Sequence, residues 1–222
     1  VIVALDGPAG AGKSTVARRV ASRLGFAYLD TGALYRAAAV QARRLNLRFE
    51  DTPEMRRMMS EIRIGFDGGR ISLNGEDLSD QIRTPEISHY ASVISALPVV
   101  REMLLPLQQR VGRTQDVVAE GRDMGTTVFP EAEHKYFLDA SSQERARRRF
   151  LELQNKGVQT TMQEVFEEMK TRDERDSSRA AAPLRQAPDA VYILTDGKTV
   201  DEIVEAIVGA VRNYTVRISG PT

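Results

Sequence analysis

The 222-residue chain contains no cysteine. That absence excludes disulfides, thiolate zinc sites and a cysteine nucleophile, and it suits a reducing compartment, so a cytoplasmic location is expected. Histidine is almost as scarce: His89 and His134 stand far apart without metal-ligand spacing, and both read as structural or surface residues. Charge of one sign is not in excess, because Lys+Arg and Asp+Glu both total 31. No global field then draws the chain to nucleic acid or to a membrane, and neither is expected as a partner. There is no apolar run long enough to span a bilayer, no internal repeat and no low-complexity segment. A signal peptide is not expected, since Val1 opens a core strand at once, and the lack of a leading methionine suggests a trimmed start.

What is present is enough for one domain, with 41% hydrophobic residues to build a core. The dominant feature is Gly7-Pro8-Ala9-Gly10-Ala11-Gly12-Lys13-Ser14, followed by Thr15. A glycine, four free positions and Gly-Lys-Ser form the phosphate-loop pattern. The apolar run Val1 to Leu5 reads as a buried strand entering the loop, and Val16 to Leu24 reads as a helix stopped by Gly25. Glycines let successive N–H groups turn inward around phosphate oxygens, and the helix N-terminus adds positive potential. Lys13 is expected to reach the β- and γ-phosphates of ATP, and the Ser14 hydroxyl to ligate Mg²⁺.

Downstream, Thr31 is expected to cap a helix over about Gly32 to Leu45, and Thr52-Pro53 to start another. Residues 62–66 and 70–73 alternate apolar and polar around Gly68-Gly69, and Asn74-Gly75 is a hairpin signal. This small antiparallel sheet reads as an insertion. Helices follow from Thr84-Pro85 to about Ser95 and from Pro98 to about Val111. Asp116 to Glu120 returns to the central sheet, and Lys135 to Leu138 adds a strand. Ser141 with Glu144, Thr161 with Glu164 and Thr199 with Glu202 are three capping boxes. Val191 to Leu194 is the last strand. Strands alternating with helices predict a three-layer α/β fold of the P-loop NTPase type around a parallel sheet, with the site at the carboxyl ends of its strands.

A guanine-specific GTPase would need an Asn/Thr-Lys-x-Asp base reader, and Asn155-Lys156-Gly157-Val158 lacks the aspartate. Val117-Val118-Ala119-Glu120 resembles the acidic strand end of motor ATPases, but it reads as a core strand whose last residue faces the cleft, and Glu120 is assigned no role. Arg145 and Arg149 share one helix face, and Arg172, Arg175 and Arg179 cluster with Asp173 and Asp176 on or beyond the next helix. Two arginine-rich helices joined by a short glycine-containing link suit a lid that surrounds a transferring phosphoryl group with cations and excludes water. A solvated, salt-bridged hairpin is the alternative. The candidates for contact with the transferring group are Lys13, Arg122, Arg145, Arg149 and Arg172.

Several blocks together resemble the bacterial-type cytidylate kinases of the nucleoside monophosphate kinase group. They are Asp6 to Thr15, Leu29 to Arg36, Ile82 to Glu86, Glu120 to Thr126, Phe137 to Ser141, Arg172 to Asp176 and Arg179 to Leu184. The resemblance spans nearly the whole chain and implies the reaction ATP + CMP ⇌ ADP + CDP, with dCMP as a second acceptor and Mg²⁺ accompanying ATP. By position, Thr31, Arg101, Asp123 and Arg179 would face cytosine; Tyr35, Arg36, Arg83 and Arg122 would lie near the CMP phosphate; Ser92, Arg172 and Asp176 would contact the sugar. It implies one kinase domain over 1–222, with a core of about 1–61, 96–140 and 185–222, an acceptor-binding insertion at about 62–95 and a lid at about 141–184. A monomer is expected.

Cytosine chemistry fits these residue types. The exocyclic amine needs an acceptor, which Asp123 supplies, and N3 and O2 need donors, which Arg101 and Arg179 supply. Uracil would set a carbonyl against Asp123 and leave buried groups unpaired. On the residues alone, Asp123 could instead pair with adjacent Arg122, Ser92 could be a tolerated helical polar residue, and Tyr35 a half-buried core tyrosine. A kinase for another small acceptor, or a nucleotide-dependent switch, remains the rival reading.

Overall fold

A computed structural model describes residues 1–67 and 69–219, with the side chains of 67 and 215–219 left aside; Gly68 of the expected Gly68-Gly69 break lies outside the described residues. Five parallel strands form the centre: β1 (Ile2–Asp6), β2 (Ala27–Asp30), β6 (Val117–Glu120), β7 (His134–Asp139) and β8 (Val191–Leu194), in the order β2-β6-β1-β7-β8. β1 is buried on both faces. Val3 and Leu5 meet α1 (Lys13–Leu24) and α8 (Val200–Ser219) on one side, and Ala4 meets Met124, Val128 and Phe129 on the other. This gives the three layers that the strand–helix alternation predicts.

A second core joins α2 (Thr31–Arg44), α3 (Pro53–Glu61), α4 (Pro85–Ile94) and α5 (Pro98–Thr114) to an antiparallel sheet of β3 (Ile64–Asp67), β4 (Arg70–Leu73) and β5 (Glu76–Asp77). Leu34, Met55, Leu73 and Ile94 interlock there. The small sheet therefore packs on helices from either side of it in sequence. Asn74 and Gly75 both take positive φ, 52° and 89°, as the hairpin signal requires. A third, smaller core of Ala146, Leu153, Val165 and Met169 holds α6 (Ser142–Asn155) against α7 (Met162–Ser178).

Two local expectations are corrected. Asp30, not Thr31, caps α2: its Oδ1 accepts from the Ala33 N–H at 3.0 Å, while the Thr31 hydroxyl donates to the Glu120 carbonyl at 2.7 Å. Ser141 caps α6 without a full box. Its own N–H donates to Asp196, and the Glu144 carboxylate is taken by Arg147 and Arg148. At Thr161–Glu164 and Thr199–Glu202 the reciprocal bonds are both made.

Candidate active site

β1 ends against the phosphate loop, and the loop is shaped by what it touches. Gly7 has φ 143°, and a methyl there would lie 1.9 Å from the Leu138 carbonyl oxygen, so only glycine fits beside β7. Gly10 has φ 77°, and a methyl there would lie about 3 Å from Arg145 and the Met169 side chain, so the bare glycine lets α6 and α7 rest on the loop. Lys13 is 5% exposed, and its Nζ donates to the Pro8 carbonyl at 2.7 Å. Burial and the nearby Arg122 guanidinium pull its ammonium well below the ordinary lysine value. The Ser14 hydroxyl donates to Glu120 Oε2 at 2.8 Å. Glu120 is itself buried at the end of β6, and burial with the neighbouring Asp30 charge raises its carboxyl.

The acceptor side is a chain of paired arginines and carboxylates. Asp30 Oδ2 accepts from Arg36 at 2.8 Å and lies 3.9 Å from Arg83. Asp123 accepts from Arg101 and, at 3.4 Å, from Arg179; all three are buried. The Arg101 guanidinium also sits 5.4 Å over the Tyr35 ring. Asp176 accepts from Arg122 at 2.9 Å, with Arg172 and Arg179 close by. Burial pushes the Asp176 carboxyl up, but these three cations outweigh it and hold it below the usual range. Asp123 and Arg122 are thus neighbours in sequence with different partners, and the pairing between them open at the sequence level is not formed. Ser92 is buried, and its hydroxyl accepts from Arg175 of α7 at 2.9 Å.

These groups line one cleft of about 490 Å³. Lys13, Ser14, Asp123 and Arg101 all face it, which is the juxtaposition the base-reader argument requires. Thr31, Tyr35, Arg36, Arg83, Ser92, Arg122, Asp176 and Arg179 face it too, with Arg149 and Arg172 from the helical pair. Of the loop, Ala9, Gly10, Gly12 and Thr15 line it; Gly7, Pro8 and Ala11 lie behind. Arg145 is set apart from the other candidate arginines. It is 6% exposed and spends its donors on the Ala140 and Ala9 carbonyls, Ser142 and Asp173, tying α7 to the phosphate loop from below.

Eleven basic side chains line the cleft against six carboxylates. A chain of zero formal net charge therefore concentrates positive charge in one place. Among the described residues the Nε atoms of Arg36 and Arg172 are buried without a hydrogen-bond partner. Burial and neighbouring Arg122 push Arg172 down to about 10. Such a surplus of desolvated donors calls for anions, and phosphates are the anions the loop is built for.

Comparison with known proteins agrees. Residues 3–213 match the family model described as cytidylate kinase. This chain belongs to the cytidylate kinase family. A cytidylate kinase of Caldanaerobacter subterraneus is 47% identical over 97% of the chain and 96% of its own length, and one of Solibacter usitatus is 49% identical over 96% and 93%. A structure of an uncharacterized protein from Eubacterium ventriosum shares the fold at a TM-score of 0.51 and 11% identity, covering 96% of this chain and 98% of that one.

Among the cleft residues of this cytidylate kinase that sequence reasoning gave no role are Asp30, Glu120, Arg18 and Arg148. Asp30 holds Arg36 and Arg83; Glu120 holds Ser14; Arg18 and Arg148 also line the cleft. Arg148 donates to Thr195 at 2.9 Å. Asp30 and Glu120 shared one available signal, since each is an acidic residue ending an apolar strand. The donor set also suits Mg²⁺: a hydroxyl and a carboxylate, both hard oxygen groups, converge beside Lys13. Among the described residues no three His, Cys, Asp or Glu side chains form a cage.

Proposed function

We propose that this enzyme transfers the γ-phosphoryl group of ATP to CMP, and to dCMP, by in-line displacement in a cleft covered by α6 and α7. The observation that carries the reading is the single cavity shared by Lys13 on one wall and the Asp123–Arg101–Arg179 cluster on the other. The loop amides and Lys13 hold the triphosphate. Asp123 accepts from the cytosine amine while Arg101 and Arg179 donate to its acceptors, Arg36, Arg83 and Arg122 hold the CMP phosphate, and Ser92 and Asp176 face the sugar.

A CMP phosphate oxygen bonds to the γ-phosphorus as the bond to the ADP oxygen breaks. No strong base is needed, because the attacking phosphate is already anionic. Ser14, oriented by Glu120, would hold Mg²⁺, which when bound would supply charge neutralisation for the triphosphate. Arg122, Arg149 and Arg172 surround the transferring group, and Arg145 supports them by fixing loop and lid to each other. The acceptor unit is the small sheet with its helices, at about 62–95, and the lid spans about 141–184.

Every residue in this reading comes from one chain, and the reading includes a monomer acting on small molecules. A cytoplasmic setting is part of the reading, since ATP and CMP are the substrates. Turnover measured by coupled ADP release with CMP, dCMP, UMP and AMP tests it. CMP and dCMP should exceed UMP in kcat/KM by roughly a thousandfold. Equal turnover of UMP, or ADP release independent of acceptor, would refute it.

A further inference from the structure

One polar contact beside the phosphate loop is unused by this mechanism. β2 and β6 run parallel, with Tyr28 opposite Val118 and Asp30 opposite Glu120. Residues two apart on a strand share a face, so the half-buried Tyr28 ring reaches diagonally across to Glu120. Its hydroxyl donates to Glu120 Oε1, while Oε2 accepts from Ser14. The carboxylate is thereby fixed at both oxygens.

The second contact matters because Glu120 has a competing partner. The Lys13 charge acts on it from inside the same cleft. A carboxylate free to rotate could turn to that ammonium and take it from the phosphates. In the structure Lys13 donates to Pro8 instead, and Glu120 stays turned to Ser14. Tyr28 is held in turn by Arg18, whose guanidinium carbon lies 5.2 Å from its ring centroid, and Arg18 lines the cleft mouth.

We propose that Tyr28 is a positioning residue for phosphoryl transfer: its hydroxyl locks the Glu120 carboxylate toward Ser14, where the metal-bearing phosphates of the nucleotide sit. The proposal rests on the reading that Mg²⁺ accompanies the nucleotide at Ser14. Tyr28→Phe keeps the ring and its contact with Arg18 and removes only the donor.

The test is calorimetric affinity for ADP with excess Mg²⁺ and with EDTA, in the full chain. The ratio of the two dissociation constants measures the contribution of the metal. In Tyr28→Phe this ratio should fall by about tenfold, with metal-free ADP and CMP affinities held within about twofold. In a Glu120→Gln background, adding Tyr28→Phe should change the ratio no further, because Tyr28 acts through Glu120. A wild-type ratio that survives Tyr28→Phe overturns the proposal alone. So does an equal loss in both backgrounds, or a parallel loss of metal-free affinity. Equal wild-type affinities in Mg²⁺ and EDTA would instead remove the metal reading, and the proposal with it.

Discussion

Asp123 and Asp6 show how differently two buried carboxylates can be used. Asp123 is satisfied by two guanidinium groups that also face the cleft, where the proposed reading sets the base. Asp123→Asn keeps an acceptor but drops the charge, leaving Arg101 and Arg179 undercompensated. Steady-state kinetics should show kcat/KM for CMP lower by on the order of a hundredfold, with KM for ATP little changed. Asp6 accepts the Met124 and Gly125 N–H groups at 2.7 and 2.8 Å, pinning the turn that carries Asp123. Burial outweighs those two bonds and pushes its carboxyl up to about 6 from 3.8. A raised carboxyl binds its proton more tightly folded than unfolded. Its stabilising contribution is thus complete below about pH 4 and lost by about pH 6, a change of about 3 kcal/mol. Denaturant midpoints followed over that range should show this slope in the parent and lose it in Asp6→Asn.

At the scale of elements, the boundaries follow local chemistry where it is local. Thr161 and Glu164 exchange both capping bonds at the start of α7. Thr161→Ala should cost about 1 kcal/mol, read as faster amide exchange in α6 and α7 with the central sheet unaffected. Where capping depends on distant chain, sequence misleads. Glu144 looked committed to Ser141, but Arg147 and Arg148 on its own helix claim it, and Asp196, 55 residues on, takes the Ser141 N–H. Thr31 likewise looked like a cap, and only the approach of β6 diverts its hydroxyl to the Glu120 carbonyl. The Arg175–Ser92 bond joins α7 to α4, elements that share no local sequence signal. Arg175→Ala should raise KM for CMP by roughly five- to tenfold and leave KM for ATP nearly unchanged, since the lost hydrogen bond involves a charged donor and lies on the acceptor side.

Across the whole molecule, the architecture was legible because its signals are periodic. Strand–loop–helix spacing at residues 1–24 and the hairpin at Asn74-Gly75 each need only a few adjacent residues. The site was legible in its cast and less so in its pairings. Lys13, Arg101 and Asp123 meet as expected, whereas the attachment of Arg145 to Ala9 and Asp173 spans 136 and 28 residues and is set by packing alone. The burial of Arg145 predicts its kinetic signature. Arg145→Ala should lower melting temperature as well as kcat, because Asp173 and the Ala9 carbonyl lose their donor. Arg149→Ala, whose side chain among the described residues pairs with Glu152 at the cleft edge, should lower kcat with the melting temperature nearly unchanged. Thermal melts and single-turnover rates of the two variants separate these roles.

The anchorage at Arg145 has a mechanical corollary. A fourteen-residue helix fastened at its first turn is a lever of about 20 Å whose fulcrum is the phosphate loop. A tilt of about 10° would carry its far end through roughly 4 Å while displacing the root hardly at all. Glu152 and Lys156 lie near the far end, where Leu153 packs on α7, and border the cleft. In such a tilt their charges would move farthest, while the cations beside the loop would stay in register.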